Sequence, residues 1–121
     1  MFPVKIYAFA DEADSRNDAQ ILAMKRNNLS GLEIRGVDGE NVSAISVGKA
    51  KEVRRKLDGS GLTTWSIGSP IGKINIRDDF DAHLELFRHV LEISDILGAK
   101  NIRLFSFYIP KGELPSIYRQ E

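Results

Sequence analysis

Hydrophobic and polar positions along the chain alternate between a period near two and a period near 3.6. Val4 to Phe9 is a short apolar and aromatic run with Lys5 near its entry, which predicts a first strand. After the acidic segment Ala10-Asp11-Glu12-Ala13-Asp14, Ile21, Leu22 and Met24 predict a helix that runs to about Asn27. Asp14 or Ser15 can cap it by accepting from its free N–H groups. Leu32 and Ile34 then alternate with Glu33 and Arg35 between Gly31 and Gly36, which predicts a second strand. A loop of turn formers, Val37-Asp38-Gly39-Glu40-Asn41, precedes a second helix. Ser43 or Ser46 can cap that helix, Ala50, Val53 and Leu57 give it an apolar face, and Gly59 and Gly61 stop it.

The same rhythm repeats in the second half. Leu62-Thr63-Thr64-Trp65-Ser66-Ile67 is β-branched and aromatic, a third strand. Asp78 or Asp79 caps the longest helix, from about Phe80 to Leu97, with Phe80, Leu84, Phe87, Val90, Leu91 and Ile93 as its apolar stripe and Gly98 at its end. Asn101 to Phe107 reads as a fourth strand, and Leu114 to Arg119 as the start of another helix. The order β-α-β-α-β-α-β, with strands roughly every 30 residues, predicts a parallel sheet with helical crossovers. No linker or low-complexity segment divides the 121 residues, so a single domain is expected.

Composition narrows what such a domain can do. Seventeen basic and seventeen acidic residues give zero formal charge, so no basic footprint for nucleic acid or anionic lipid is expected. Cysteine is absent, which removes disulfides, thiolate catalysis and zinc–cysteine sites. The opening Met1-Phe2-Pro3-Val4-Lys5 carries no long apolar region, and no run approaches membrane-spanning length, so a cytoplasmic location is expected. Lys49, Lys51, Arg54, Arg55 and Lys56 on the second helix read as a solvated face.

Candidate chemistry gathers at the C-terminal ends of the strands, where parallel α/β architectures place function. Asp11-Glu12, Glu33 to Arg35, Ser66 to Lys73 and Arg103 to Ser106 all fall there. Charged groups on a buried strand are costly unless paired or used. Glu33 and Arg35 therefore face a polar barrel interior or form an ion pair at the edge of an open sheet. Arg35 and Arg103 have the shape to hold a carboxylate or phosphate. The loop Gly68-Ser69-Pro70-Ile71-Gly72-Lys73 is not a phosphate loop, because its glycine spacing is wrong and Ile74 follows the lysine. His83 and His89 sit six positions apart on one predicted helix, on different faces, so they cannot share a metal; neither is placed to activate a serine. His89 and Glu92 have a spacing that could ligate a metal in a bundle, though on an outer helix they read as surface residues.

Four segments together resemble the sugar phosphate isomerase/epimerase family of the xylose isomerase-like TIM-barrel superfamily. They are Phe9-Ala10-Asp11-Glu12-Ala13, Gly31-Leu32-Glu33-Ile34-Arg35-Gly36, Ser66 to Lys73, and Gly98 to Tyr108. The resemblance implies a parallel βαβαβαβ sheet forming the N-terminal half of a (β/α)8 barrel, since a full barrel has eight strands in about 250 residues. It implies a protein acting on a small sugar or sugar phosphate by metal-assisted proton transfer, with Glu33, Arg35, Ser69, Arg103 and Ser106 facing substrate. The family's divalent metal (Mn, Mg or Zn) and its acid/base carboxylates come from the second half of the barrel. This chain alone is therefore expected to bind no metal and to be inactive. Unpaired edge strands make a homodimer an expected partner state. The rival readings are an open, flavodoxin-like module that binds a small anion, and an endonuclease IV-like DNA-repair fragment, which the neutral charge disfavours.

Overall fold

A computed structural model describes residues 4–119. Met1 to Pro3, on which part of the reading of the opening segment rests, lie outside the described residues. The elements in chain order are β1 (Tyr7–Phe9), α1 (Asn17–Arg26), β2 (Gly31–Ile34), β3 (Gly36–Val37), β4 (Glu40–Asn41), α2 (Val47–Gly59), β5 (Thr63–Ile67), α3 (Phe80–Leu97) and β6 (Asn101–Ile102). Short 3-10 turns occupy Ala10–Glu12 and Pro115–Tyr118. Four strands form one parallel sheet in the order β1-β2-β5-β6, so the predicted α/β class holds.

Sequence order and spatial order coincide in this sheet. Crossovers of one hand then place successive helices on the same face. Leu32, Ile34 and Ile67 bury completely against Ile21 and Met24 of α1, Ala50, Val53 and Leu57 of α2, and Val90, Ile93 and Leu97 of α3. The other face carries Tyr7, Phe9, Glu33, Arg35 and Trp65, all at least partly open. Leu32 and Ile34 therefore point to the helices while Glu33 and Arg35 point away, as the alternation predicts.

Two devices shape the open face. Gly31 faces the Thr63 carbonyl so closely that a Cβ would lie 1.9 Å from its oxygen, so only glycine lets β2 and β5 pair there. The register then slips by one residue between Leu32 and Glu33. Trp65 is the extra residue in β5 and stacks on Tyr7, centroids 4.9 Å apart.

Several boundaries differ from the sequence reading. The first strand covers only Tyr7–Phe9, and the fourth only Asn101–Ile102 rather than Asn101 to Phe107. The fourth strand stops because its partner β5 ends at Ile67, opposite Ile102. Residues 103–108 instead run beside the β5–α3 loop, with Phe105 donating to Ile71 O and Tyr108 to Ile74 O. The loop 37–41 is a hairpin of β3 and β4 about Asp38 (φ 50°) and Gly39 (φ 83°). Neither Asp14 nor Ser15 caps α1. Its first N–H, from Asn17, is met by Asp38 Oδ1 at 2.8 Å, a cap supplied across the fold by the hairpin. Ser46 and Asp79 cap α2 and α3, and Gly98 closes α3 at φ 68°. Leu114 to Arg119 forms no α-helix, only the 3-10 turn.

Candidate functional site

The C-terminal ends of β1, β2, β5 and β6 bring the expected polar groups to one edge of the sheet. Asp11 and Glu12 sit in the 3-10 turn that follows β1. Arg35 follows β2 and donates through Nε to Asp11 Oδ2 at 2.8 Å and through Nη2 to Asp11 Oδ1 at 3.1 Å. This is a fork-to-fork pair, the strong form of an arginine–carboxylate contact. Glu12 stands 3.7 Å from the same Nη2. The hydrogen bonds that Arg35 donates to Asp11 push the Arg35 pKa above its already high value. Arg35 also lies over the Phe9 ring, 4.7 Å from its centroid. The Glu33–Arg35 ion pair of the open-sheet reading does not form among the described residues; Arg35 pairs with Asp11 instead.

An open cleft of about 420 Å³ lies beside this pair. Asp11, Ser15, Arg35 and Gly36 form one wall, and the hairpin residues Gly39, Glu40 and Asn41 form the other. The hairpin is fixed from both sides. Lys49 of α2 pairs with Asp38, and Gln20, fully buried, donates to Asp14 O and Gly36 O at 2.9 Å each. Asp14 itself is held down to about 2 by hydrogen bonds from Arg16. Lys49 likewise lowers the Asp38 pKa, helped by the Asn17 N–H.

Across the sheet, Arg103 follows β6. Its Nη2 donates to Gly68 O at 3.2 Å and Ser69 O at 3.3 Å. Its guanidinium lies 4.6 Å from the Phe105 centroid and 5.7 Å from that of Phe9. Arg35 and Arg103 thus flank one aromatic ring.

Of the residues expected to face substrate, Glu33 and Arg35 share the open face and Arg103 joins them through Phe9. Glu33 is half-buried and forms no ion pair or side-chain hydrogen bond among the described residues. Ser69 does not belong with them. It is fully buried, and its hydroxyl donates to Arg103 O while accepting from Ile71 N, so it pins the loop to β6. Ser106 is exposed and makes no hydrogen bond among the described residues, which leaves it apart from the others.

Both histidines are engaged by the fold, and His89 is half-buried rather than a plain surface residue. His83 is 9% exposed, and its Nε2 accepts from the Gly72 N–H at 2.8 Å. That bond fixes the ring as the Nδ1–H tautomer. His83 sits in an apolar groove of about 260 Å³ with Phe80, Phe87, Phe105 and Phe107, into which the N-terminal half of the predicted α3 stripe turns. His89 Nε2 contacts Ile45 O at 2.9 Å. Helical spacing alone hid this, because the partners come from loops. The basic face of α2 is likewise not simply solvated: Lys56 reaches Asp18, and Arg54 reaches Ile96 O at 3.2 Å.

Among the described residues no three His, Asp or Glu side chains converge as a metal-ligand set. No described helix is long and apolar enough to cross a membrane. No family model, curated protein or solved structure matches the chain.

Proposed function

We propose that this chain is the N-terminal half of a (β/α)8 barrel of the sugar phosphate isomerase/epimerase kind. The C-terminal edge of its sheet is then one side of a mouth for a small sugar or sugar phosphate. One observation carries the reading: the strands run in parallel in the order β1-β2-β5-β6, helices cover one face only, and Arg35 and Arg103 stand at the strand ends of the other. A doubly wound, flavodoxin-like sheet needs a reversal of strand order to make its binding crevice. A barrel needs none, and closure removes the free edges of β1 and β6.

In this reading Asp11 orients Arg35 toward the bound sugar, and Glu33, two residues earlier on the same face, offers a carboxylate to its hydroxyls. The reaction of the whole protein is isomerisation or epimerisation by proton transfer at a hydroxyl-bearing carbon. The family's divalent metal does not fit the residues present. Asp11 is committed to Arg35, and Glu12 and Glu33 supply no convergent set of the several oxygens a hard cation needs. No step of the chemistry is therefore assigned to a metal here, and this chain alone is expected to be catalytically silent. A cytoplasmic protein with no nucleic-acid or membrane partner, pairing β1 and β6 edges with a second copy, completes the proposal.

Titration with a neutral pentose, followed by side-chain NMR of Arg35 and by the fluorescence of Trp65, the sole tryptophan, tests the reading. Shifts confined to the strand ends are expected. Shifts absent there, or confined to the helical face, would overturn it.

A further inference from the structure

We propose that the apolar groove between α3 and residues 103–108 binds a small aromatic carbonyl compound, with His83 donating the hydrogen bond to its oxygen. The site does not rest on the sugar reading. Two observations meet in it. The groove holds about 260 Å³ and is lined by four phenylalanine rings, those of Phe80, Phe87, Phe105 and Phe107. His83, 9% exposed, is the one hydrogen-bonding side chain of that lining. Its Nε2 is taken by the Gly72 N–H at 2.8 Å, so Nδ1 carries the proton. That Nδ1–H has no hydrogen-bond partner among the described residues. A donor so nearly buried is costly to leave unmatched, and an acceptor lying in the groove would match it.

The lining selects the chemistry of the occupant. None of the described residues that form it carries a formal charge, so an ion would lose its hydration there without a counter-charge. Four rings favour a flat aromatic body over a saturated one, because edge-on and stacked ring pairs add to simple burial. Phe107 already meets the Phe80 ring at 6.4 Å and the His83 ring edge-on at 6.0 Å, the spacing such pairs adopt. A single donor calls for a single acceptor. Size agrees with this class: a closed apolar cavity of about 150 Å³ takes benzene, so the groove has room for one ring and a short substituent. A docked helix is about 10–12 Å across and sets anchors along several turns, for which a groove of this volume is too short. Phe80, 58% exposed, and Leu104, 54% exposed, leave the groove open for entry.

The experiment compares three probes on the unaltered chain by NMR titration. Acetophenone carries both features, cyclohexyl methyl ketone keeps the carbonyl on a saturated ring, and α-methylstyrene keeps the aromatic ring with a methylene in place of the oxygen. Acetophenone is expected to bind with a Kd on the order of 1 mM. It should bind about fivefold tighter than cyclohexyl methyl ketone, the worth of the ring contacts. Nuclear Overhauser contacts should run from its ring to those of Phe80 and Phe107, and the His83 ¹⁵Nδ1 resonance should shift. α-Methylstyrene should give the same ring contacts and leave ¹⁵Nδ1 in place. Phe107→Leu should abolish the preference between the two ketones, with circular dichroism to check that the variant is folded. Equal affinity for the two ketones in the unaltered chain overturns the aromatic site, and a ¹⁵Nδ1 resonance that acetophenone does not move overturns the role of His83. Contacts confined to other surfaces, no binding up to the solubility limit, or a groove filled instead by a second copy of the chain overturns the whole proposal.

Discussion

The two faces of the sheet are built from the same strands and obey different rules. On the covered face Leu32, Ile34 and Ile67 are no more than 1% exposed and meet three helices, so volume and shape decide what is allowed. On the open face Tyr7 and Trp65 stack in partial contact with solvent, Arg35 is tied to Asp11, and Glu33 has no ion-pair partner among the described residues. Parallel sheets are ordinarily covered on both faces. The difference teaches where to look: the helical face stores stability, while the open face holds polar groups whose positions stability alone does not require.

Leu32→Ala should give the largest loss, about 2–5 kcal/mol, because it removes a fully buried side chain and leaves a cavity beneath three helices. Urea unfolding measures it. Trp65→Ala, one strand over on the open face and 40% exposed, should cost clearly less despite deleting a larger side chain. Equal losses would break the comparison and would mean that the open face is covered in solution. Light scattering at the same concentrations would then show the second copy.

Gly31→Ala comes next, at about 1–3 kcal/mol or somewhat more. The atom it would strike is a backbone oxygen of the neighbouring strand, and only a separation of β2 from β5 relieves the contact. His83→Phe should cost about 1–3 kcal/mol, because the Gly72 N–H loses its acceptor inside an apolar groove. Gly72 (φ 88°) sits so close to Phe105 that the loop cannot simply turn its amide to water. A loss near zero would show that this loop is free of α3.

What could be read in advance follows the same division. Period-3.6 patterns placed α2 and α3 almost to the residue, and alternation within Gly31 to Gly36 assigned Leu32 and Glu33 to opposite faces. Local chemistry is enough for such features. The cap of α1 by Asp38, the burial of His83 against Gly72, and the inward turn of Ser69 all depend on partners 11 to 34 residues away. No short window contains them. The hairpin at Asp38-Gly39 did carry a local signal, the Asp-Gly pair, but its strands are too short to alternate. Arg35 and Arg103 look alike as residues at strand ends; only the fold shows that Arg35 meets a carboxylate while Arg103 meets backbone carbonyls among the described residues.

Acid should separate the rim of the cleft from the core. Asp14 and Asp38 both have folded-state pKa values below the ordinary carboxylate value, Asp14 at about 2 and Asp38 in the same direction through Lys49 and the Asn17 N–H. The native state therefore binds fewer protons than the unfolded chain between about pH 2 and 4. Stability contributed by these groups is complete above that window and is lost as pH falls through it. Asp38→Asn should flatten this part of the stability–pH profile, because it weakens both the α1 cap and the pair with Lys49. An unchanged profile would mean that the hairpin does not hold the start of α1.

The smallest effect is expected from Glu33→Gln, and it is the sharpest probe of the open face. Glu33 neighbours Leu32 in the chain, yet it is half-buried and has no ion pair among the described residues. An isosteric loss of its charge should change stability by no more than about 0.5 kcal/mol, the range of surface substitutions remote from caps, networks and cores. If the carboxylate faces a sugar, the same variant should weaken pentose binding by about tenfold, because a charged hydrogen-bond acceptor is lost from the mouth. A residue that architecture does not need and a ligand does should show that split, neutral in urea and costly in calorimetry. The reverse result, a stability loss with binding unchanged, would return Glu33 to the framework and leave the mouth to Arg35, paired with Asp11, and Arg103.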